Sequence, residues 1–144
     1  MKKQVYLFFL LFAMISCKKE TFTSNIGDLN GKWRLVKIVN LQKVETTNVA
    51  DGEENQVVFT ISISDLTFNG NVKCNTAFRH FKIDNATLQL GGESKTKAGC
   101  RSDWTDKYDA TMGLQARTAL FSRSGTKLLF KLNDNLHLLT FEKM

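Results

Sequence analysis

Apolar residues recur at every second position through most of this chain, and that alternation restricts the fold to β-structure. The clearest run places its apolar side chains at Val57, Phe59, Ile61 and Ile63. Shorter runs with the same period contain Trp33 and Leu35, Phe81 and Ile83, Leu88 and Leu90, and Leu128, Phe130 and Leu132. Successive side chains of a strand point to opposite faces, so each run predicts a strand with one buried face.

Interruptions of the alternation predict where the strands end. A phase change between Leu35 and Val36 predicts an irregularity, and another predicts a tight turn or bulge at Ser64-Asp65. Asn69-Gly70 is typical of a type I′ hairpin turn, with strands at about 65–68 and 71–75. Further turns are predicted at 84–85 and 133–135.

One segment has helical spacing instead. Trp104, Tyr108 and Met112 fall four residues apart, Ser102 or Asp103 can cap the start, and a glycine follows at 113. The spacing predicts one helix over 103–113 among about eight strands. Because antiparallel strands in this number hide their edges by closing, we expect a mostly β α+β fold, a small curled sheet or barrel with one packed helix.

The N-terminus has the features of an export signal. Two lysines at 2–3 precede an apolar run at 5–13, which is too short to span a bilayer. Ser16-Cys17 then resembles the lipobox of bacterial lipoproteins. The sequence predicts a signal peptide at 1–16, a lipidated Cys17 and tether at 17–28, and a domain at 29–144. The alternative is that Cys17 merely lies near an ordinary cleavage site.

The charge pattern argues against nucleic acid as a partner. Removing residues 1–16 takes away two lysines and no acid, so the net charge falls from +6 to +4. The remaining basic residues are scattered and form no block that could follow a phosphate backbone. Lys18-Lys19-Glu20 stands where an aspartate would signal retention in the inner membrane. We therefore expect a lipid-anchored protein of the cell envelope, at the outer membrane.

The motifs of the domain resemble those of a known family. They are Leu-Asn-Gly-Lys-Trp-Arg-Leu at 29–35, Cys-Asn at 74–75, Thr-Lys-Ala-Gly-Cys at 96–100 and Leu-Leu-Phe at 128–130. In order and spacing they are similar to the META domain of HslJ-like envelope proteins, although Lys73 replaces the glycine usual before Cys-Asn. The resemblance implies an envelope protein linked to stress, with no agreed biochemical activity. Gly-x-Trp also opens lipocalin-like barrels, which are the alternative fold.

Few residues are candidates for chemistry. Cys74 and Cys100 remain once Cys17 is lipidated, and in an oxidising compartment they form a candidate disulfide, with two buried free thiols as the alternative. His80 and His137 lie at no metal-ligand spacing from a cysteine. His80 has no evident orienting partner, and His137 is expected to face outward. The sequence therefore predicts no catalytic residue, no metal site and no cofactor.

The remaining charged residues are interpreted as solvated surface. Asp103, Asp106 and Asp109 recur three apart and fit a polar helix face. The basic residues that could instead gather into a patch for an anionic headgroup or glycan are Arg34, Lys73, Arg79 and Arg101.

Two function classes remain. The first is a non-enzymatic envelope module for stress, structure or interaction, whose partners are the membrane, through the lipid anchor, and an unidentified envelope protein. The second is a carrier of a small apolar ligand or lipid inside a lipocalin-like barrel.

Overall fold

The structure is a computed structural model that describes residues 25–49, 52, 56–100, 102–113 and 115–144. The predicted signal peptide, Cys17 and most of the predicted tether lie outside the described residues.

Ten strands, one short 3-10 helix and one α-helix make up the described chain. The strands are β1 Gly31–Asn40, β2 Glu45–Asn48, β3 Val57–Ser62, β4 Thr67–Val72, β5 Asn75–Asp84, β6 Thr87–Leu90, β7 Ser94–Lys95, β8 Arg117–Ser124, β9 Lys127–Leu132 and β10 His137–Lys143. The 3-10 helix covers Ile26–Leu29, and the α-helix α1 covers Asp103–Met112.

Eight of the strands close into an antiparallel barrel. The order around the barrel is β1, β3, β4, β5, β6, β8, β9 and β10, and β10 pairs again with β1. Two strands lie outside this ring, because β2 pairs with β1 and β7 pairs with β5. The predicted mostly β fold of about eight strands is confirmed. Closure of the barrel pairs the backbone groups that the edge strands of an open sheet would expose.

Aromatic side chains fill the interior of the barrel. The Phe59 and Phe68 ring centroids lie 4.2 Å apart, and the Phe130 and Phe141 centroids lie 5.1 Å apart. Phe68 also stands 6.3 Å from Phe130, so the four rings form one continuous cluster. An eight-stranded barrel has an interior that side chains of this size can fill. Trp33 and Trp104 are 0% and 2% exposed, as the sequence predicts.

The two ends of the barrel differ. The chain enters at one end through the 3-10 helix, where Trp33 Nε1 donates a hydrogen bond to the Leu29 carbonyl at 2.8 Å; we name this the entry end. At the opposite end β1 finishes, β3 and β10 begin, and α1 lies across the opening. We name it the helix end. The Tyr108 ring of α1 packs 5.7 Å from that of Phe59 in the core.

Helix α1 begins and ends where the sequence predicts. Ser102 is the N-cap and forms a capping box with Thr105, which satisfies backbone N–H groups that the first turn leaves free. Gly113 follows the last helical residue with φ of 56°, a conformation that glycine adopts without strain. The buried positions include Trp104 and Tyr108, so the four-residue spacing correctly identifies the face that packs on the barrel.

The predicted hairpin at Asn69-Gly70 is wrong. Both residues lie in the middle of β4, paired with β3 and β5. A Cβ atom on Gly70 would lie only 2.6 Å from the Phe59 Cα atom, so the glycine is required by the close approach of β3 and not by a turn. The hairpin is four residues further on, where Lys73 adopts φ of 58°.

The other predicted irregularities are present. The pairing of β1 with β10 shifts register between Leu35 and Lys37, at the expected phase change. Turns connect β3 to β4 at 63–66, β5 to β6 at 85–86 and β9 to β10 at 133–136. Leu66, which falls in the strand predicted at about 65–68, is instead exposed in the first of these turns with φ of 53°.

Candidate functional site

The barrel wall is incomplete at the helix end, between β7 and β8. Strand β8 begins at Arg117 and pairs on this side with β6, while β7 pairs with β5. Among the described residues, no strand lies along the outer edge of β7. The long connection 91–116 leaves the wall here, carries α1 across the barrel end and returns at β8. A network of buried polar side chains lies at this interruption.

Arg79 lies buried behind this gap. The residue as a whole is 1% exposed, and Nη2 donates to Glu93 Oε2 at 2.8 Å and to the Gly113 carbonyl at 2.9 Å. Nη1 donates to the Gly91 carbonyl at 3.4 Å. Gly91 starts the long connection and Gly113 ends its helix. One guanidinium therefore holds both parts of the connection against β5, with the charge balanced by Glu93.

Tyr108 completes the buried network. Its Oη donates to Glu93 Oε2 at 2.9 Å, so the carboxylate accepts from both the phenol and the guanidinium of Arg79. Burial, followed by the neighbouring Glu93 charge, raises the pKa of Tyr108 well above its ordinary value. The phenol is therefore a neutral hydrogen-bond donor and holds α1 to Glu93, near the start of the connection.

The interpretation of Arg79 as solvated surface is wrong. Ala77, Arg79 and Phe81 occupy the same face of β5, and all three are buried. That alternation is the one sequence signal that could have identified Arg79 as an inward residue. Glu93 follows two glycines outside any clear period, and nothing in the sequence marks it as the partner. Arg101 lies outside the described residues.

A cleft of about 570 Å³ opens beside the gap. One wall is the chain from Lys95 to Cys100, and the other is α1 with Thr105, Asp106 and Asp109. Lys95 Nζ bridges the two walls by donating to Asp109 Oδ1 at 2.6 Å. The remaining lining residues are Val72, Asn75 and Gly113.

A disulfide joins Cys74 to Cys100, the pair that the sequence predicts. Cys74 lies in the turn between β4 and β5, and Cys100 ends the strand-side wall of the cleft, with their Cα atoms 6.2 Å apart. Asn75 supports the same wall, because its Oδ1 accepts from the Ala98 backbone N–H at 2.7 Å. These contacts hold residues 96–100 beside the barrel.

The two histidines lie apart from this cleft. His80 is exposed on β5, with its ring edge-on to that of Phe78 at 4.7 Å. His137 was expected to face outward, but it shares the inward side of β10 with Leu139. It lies at the helix end, where Nδ1 is 2.7 Å from Asp134 Oδ2 and Nε2 is 3.3 Å from Asn40 Nδ2.

Asp134 has an altered acidity in this cluster. Burial alone would raise its pKa, but hydrogen bonds from the side chain of His137 and from the backbone N–H groups of Leu136 and His137 lower it overall. These contacts fix the turn into β10.

The helix aspartates form a polar face, as interpreted from the sequence. Asp103 and Asp106 lie exposed in the first turn, where negative charge is favourable, and Asp109 pairs with Lys95. Within the described ranges, no three His, Cys, Asp or Glu side chains are grouped so that they could hold a metal ion. No helix in the described part of the chain is long and apolar enough to cross a membrane.

The domain is similar to known proteins in sequence profile and in fold. The profile of the META domain matches residues 26–144. The NMR structure of a protein from Burkholderia xenovorans has a TM-score of 0.66 at 15% identity, covering 85% of this chain and 89% of that one. The crystal structure of a DUF4847 family protein from Bacteroides vulgatus has a TM-score of 0.54 at 12% identity, covering 79% and 92%. No curated protein matches.

Proposed function

Because the chain belongs to the META domain family, we propose that it is a lipid-anchored protein of the cell envelope whose domain acts by being bound. It catalyses no reaction in this proposal, and it serves as an accessory protein in the structure or stress response of the outer membrane. The anchor is Cys17, acylated after removal of residues 1–16.

The observation that carries the proposal is the use of the buried polar groups. Arg79 donates to two carbonyl groups of the connection and to Glu93, and Glu93 also accepts from the phenol of Tyr108. Arg79 Nε and Glu93 Oε1 have no partner among the described residues, but both atoms are buried and out of reach of a substrate in solvent. Catalysis needs an acid, base or nucleophile that can reach a bound substrate. The cysteines of the domain are joined in a disulfide, and His80 is an exposed residue with Phe78 beside it. This arrangement fits a small non-enzymatic domain.

The positions of the chain entry and of the cleft, at opposite ends of the barrel, support an anchor at the N-terminus. The described chain enters through the 3-10 helix at the entry end, whereas α1 and the cleft lie at the opposite end. A lipid on Cys17 would hold the entry end toward the membrane. The cleft would then point away from the bilayer, where a partner protein can approach it.

The filled interior argues against the alternative of an apolar ligand carrier. A carrier needs internal space for its ligand, whereas Phe59, Phe68, Phe130 and Phe141 pack against one another in the centre of the barrel. A bound lipid would have to displace these rings.

Replacement of the anchor residue tests the proposal. Cys17→Ala should abolish incorporation of labelled fatty acid and move the protein out of the outer-membrane fraction. A Cys74→Ser/Cys100→Ser variant is the matched control, because it loses two cysteines but keeps the anchor and should still be labelled. Equal labelling of the Cys17→Ala variant would refute the anchor.

The non-enzymatic part of the proposal needs its own test. In a deletion strain with an envelope-stress phenotype, His80→Ala and His137→Ala should each complement fully, whereas Cys17→Ala should not, because that protein is in the wrong place. If either histidine variant failed to complement while remaining folded, lipidated and abundant, an active site would replace the proposed binding role.

A further inference from the structure

We propose that the cleft beside β7 binds an extended peptide segment of a partner protein as an added β-strand. This inference rests on the proposed function, that the domain acts by being bound, and it assigns the site and the class of partner. The peptide would occupy the place in the barrel wall that β8 leaves empty at the helix end.

The backbone hydrogen bonds of residues 95–100, the wall of the cleft opposite α1, show which side of this segment is already paired. The Thr96 N–H donates to the Thr76 carbonyl at 3.1 Å, and the Ala98 N–H donates to Asn75 Oδ1 at 2.7 Å. Both groups point toward β5. Because backbone groups of neighbouring residues in an extended chain alternate in direction, those of Lys95 and Lys97 point away from β5.

The outward groups form an open edge. The backbone of Lys97 has no hydrogen-bond partner within the described residues. An unpaired strand edge is a template for a further strand. A continuation of β8 toward the helix end would pair with this edge. However, β8 starts only at Arg117, opposite Leu90 of β6.

The cleft lies against this segment. Residues 95–100 all line it, together with Val72 and Asn75 at the helix end of β4 and β5 and with residues of α1. Its volume of about 570 Å³ lies within the range of ligand sites.

The opposite wall gives the charge of the partner. Asp109 pairs with Lys95, and the exposed Asp106 carboxylate on α1 has no ion-pair partner in the part of the chain that the structure describes; Lys97, on the opposite wall, likewise has none there. A peptide lying between the walls would present alternate side chains toward α1. We therefore specify a lysine or arginine at the position facing Asp106.

The test uses the full chain, purified in detergent, and a set of defined peptides. The first probe is Ac-Thr-Val-Lys-Val-Thr-amide, titrated while the backbone amide signals of Lys95, Lys97 and Gly99 are followed by NMR. A peptide with glutamate in place of lysine tests the charge. Two N-methylated peptides test the strand: one is methylated on both valines and the other on the lysine and both threonines.

An added strand uses only alternate backbone groups of the peptide for its ladder. One N-methylated peptide should therefore bind at least about tenfold more weakly, about 1.4 kcal/mol, while the other binds within about threefold of the parent peptide. Equal affinity of both, or absence of binding by the parent peptide at millimolar concentration, would overturn the proposal.

Protein variants locate the site, and each has a control substitution at the same end of the barrel. Asp106→Asn should weaken binding of the lysine peptide about two- to fivefold. Asp103→Asn, an exposed acid of the same helical turn that does not line the cleft, should leave binding unchanged.

Filling the cleft is the second variant test. A Cβ on Gly99 would meet nothing within 4 Å, so Gly99→Trp has room for its side chain and should weaken binding at least about tenfold. Ala110→Trp adds the same bulk beside a different pocket and should bind normally. The reverse ranking would overturn the site.

These results are separable from those on the anchor. If no peptide binds but Cys17→Ala still fails to complement, the binding site is wrong and the proposed function stands. If the peptides bind as expected and Cys17→Ala complements fully, the anchor is wrong and the site stands.

Discussion

Replacement of Arg79 by methionine should be among the most damaging single changes in the domain. Arg79 and Glu93 are both buried, with side chains 0% and 1% exposed and 2.8 Å between the charged atoms. Removing one partner of such a pair leaves an unpaired buried charge, which costs about 3–5 kcal/mol. That is a large part of the stability of a small domain, which is about 5–15 kcal/mol.

A second arginine provides a matched control. Arg34 pairs with Glu142 at 3.2 Å, but these side chains are 36% and 34% exposed. Water and salt screen such a pair, so Arg34→Met should cost at most about 1 kcal/mol. The two variants remove the same groups, and the comparison isolates the effect of burial.

Urea unfolding followed by tryptophan fluorescence measures both changes. Trp33 and Trp104 are buried, so their emission reports the loss of the core. The midpoint should fall sharply for Arg79→Met with little change in the slope. Combining Arg79→Met with Glu93→Gln should give a coupling energy of about 0.5–3 kcal/mol. If Arg79→Met costs no more than Arg34→Met, the buried network does not hold the connection.

Three further predictions concern a glycine in β4, the phenol and the disulfide. Gly70→Ala should destabilise the domain by about 1–3 kcal/mol in the same assay, because the new Cβ collides with the backbone of β3; a neutral result would contradict that packing. Tyr6 lies in the predicted signal peptide, so Tyr108 is the only tyrosine of residues 17–144. Because its pKa is raised, the stabilisation is retained below pH of about 10, the ordinary tyrosine value, and falls as the pH rises further. Phenolate absorbance should therefore appear together with unfolding. A reversible phenolate signal near pH 10 in the folded protein would argue against burial. Cys74→Ser/Cys100→Ser should lower the unfolding free energy by about 3.5 kcal/mol, from a sequence separation of 26 residues, and an unchanged denaturation midpoint would show that the loop entropy is not the relevant term.

The sequence alone determined the elements whose pattern is local. Alternation at Leu128, Phe130 and Leu132 identified β9 because a strand buries every second side chain. Ser102 and Gly113 marked the ends of α1 because capping depends on residues within one turn of the helix. The cysteine pair could also be proposed, since only two cysteines remain in the domain.

The tertiary structure decided what depends on distant parts of the chain. Gly70 matches a turn in its local sequence, and only the close approach of β3 shows why a side chain is excluded there. Arg79 is charged, yet the gap between β7 and β8 gives it an anion and two carbonyl groups inside the protein. The cleft likewise lies between α1 and residues 95–100, which are brought together by the fold and not by any local pattern. Local propensity fixes the strands, whereas which backbone groups remain unpaired depends on how the barrel closes.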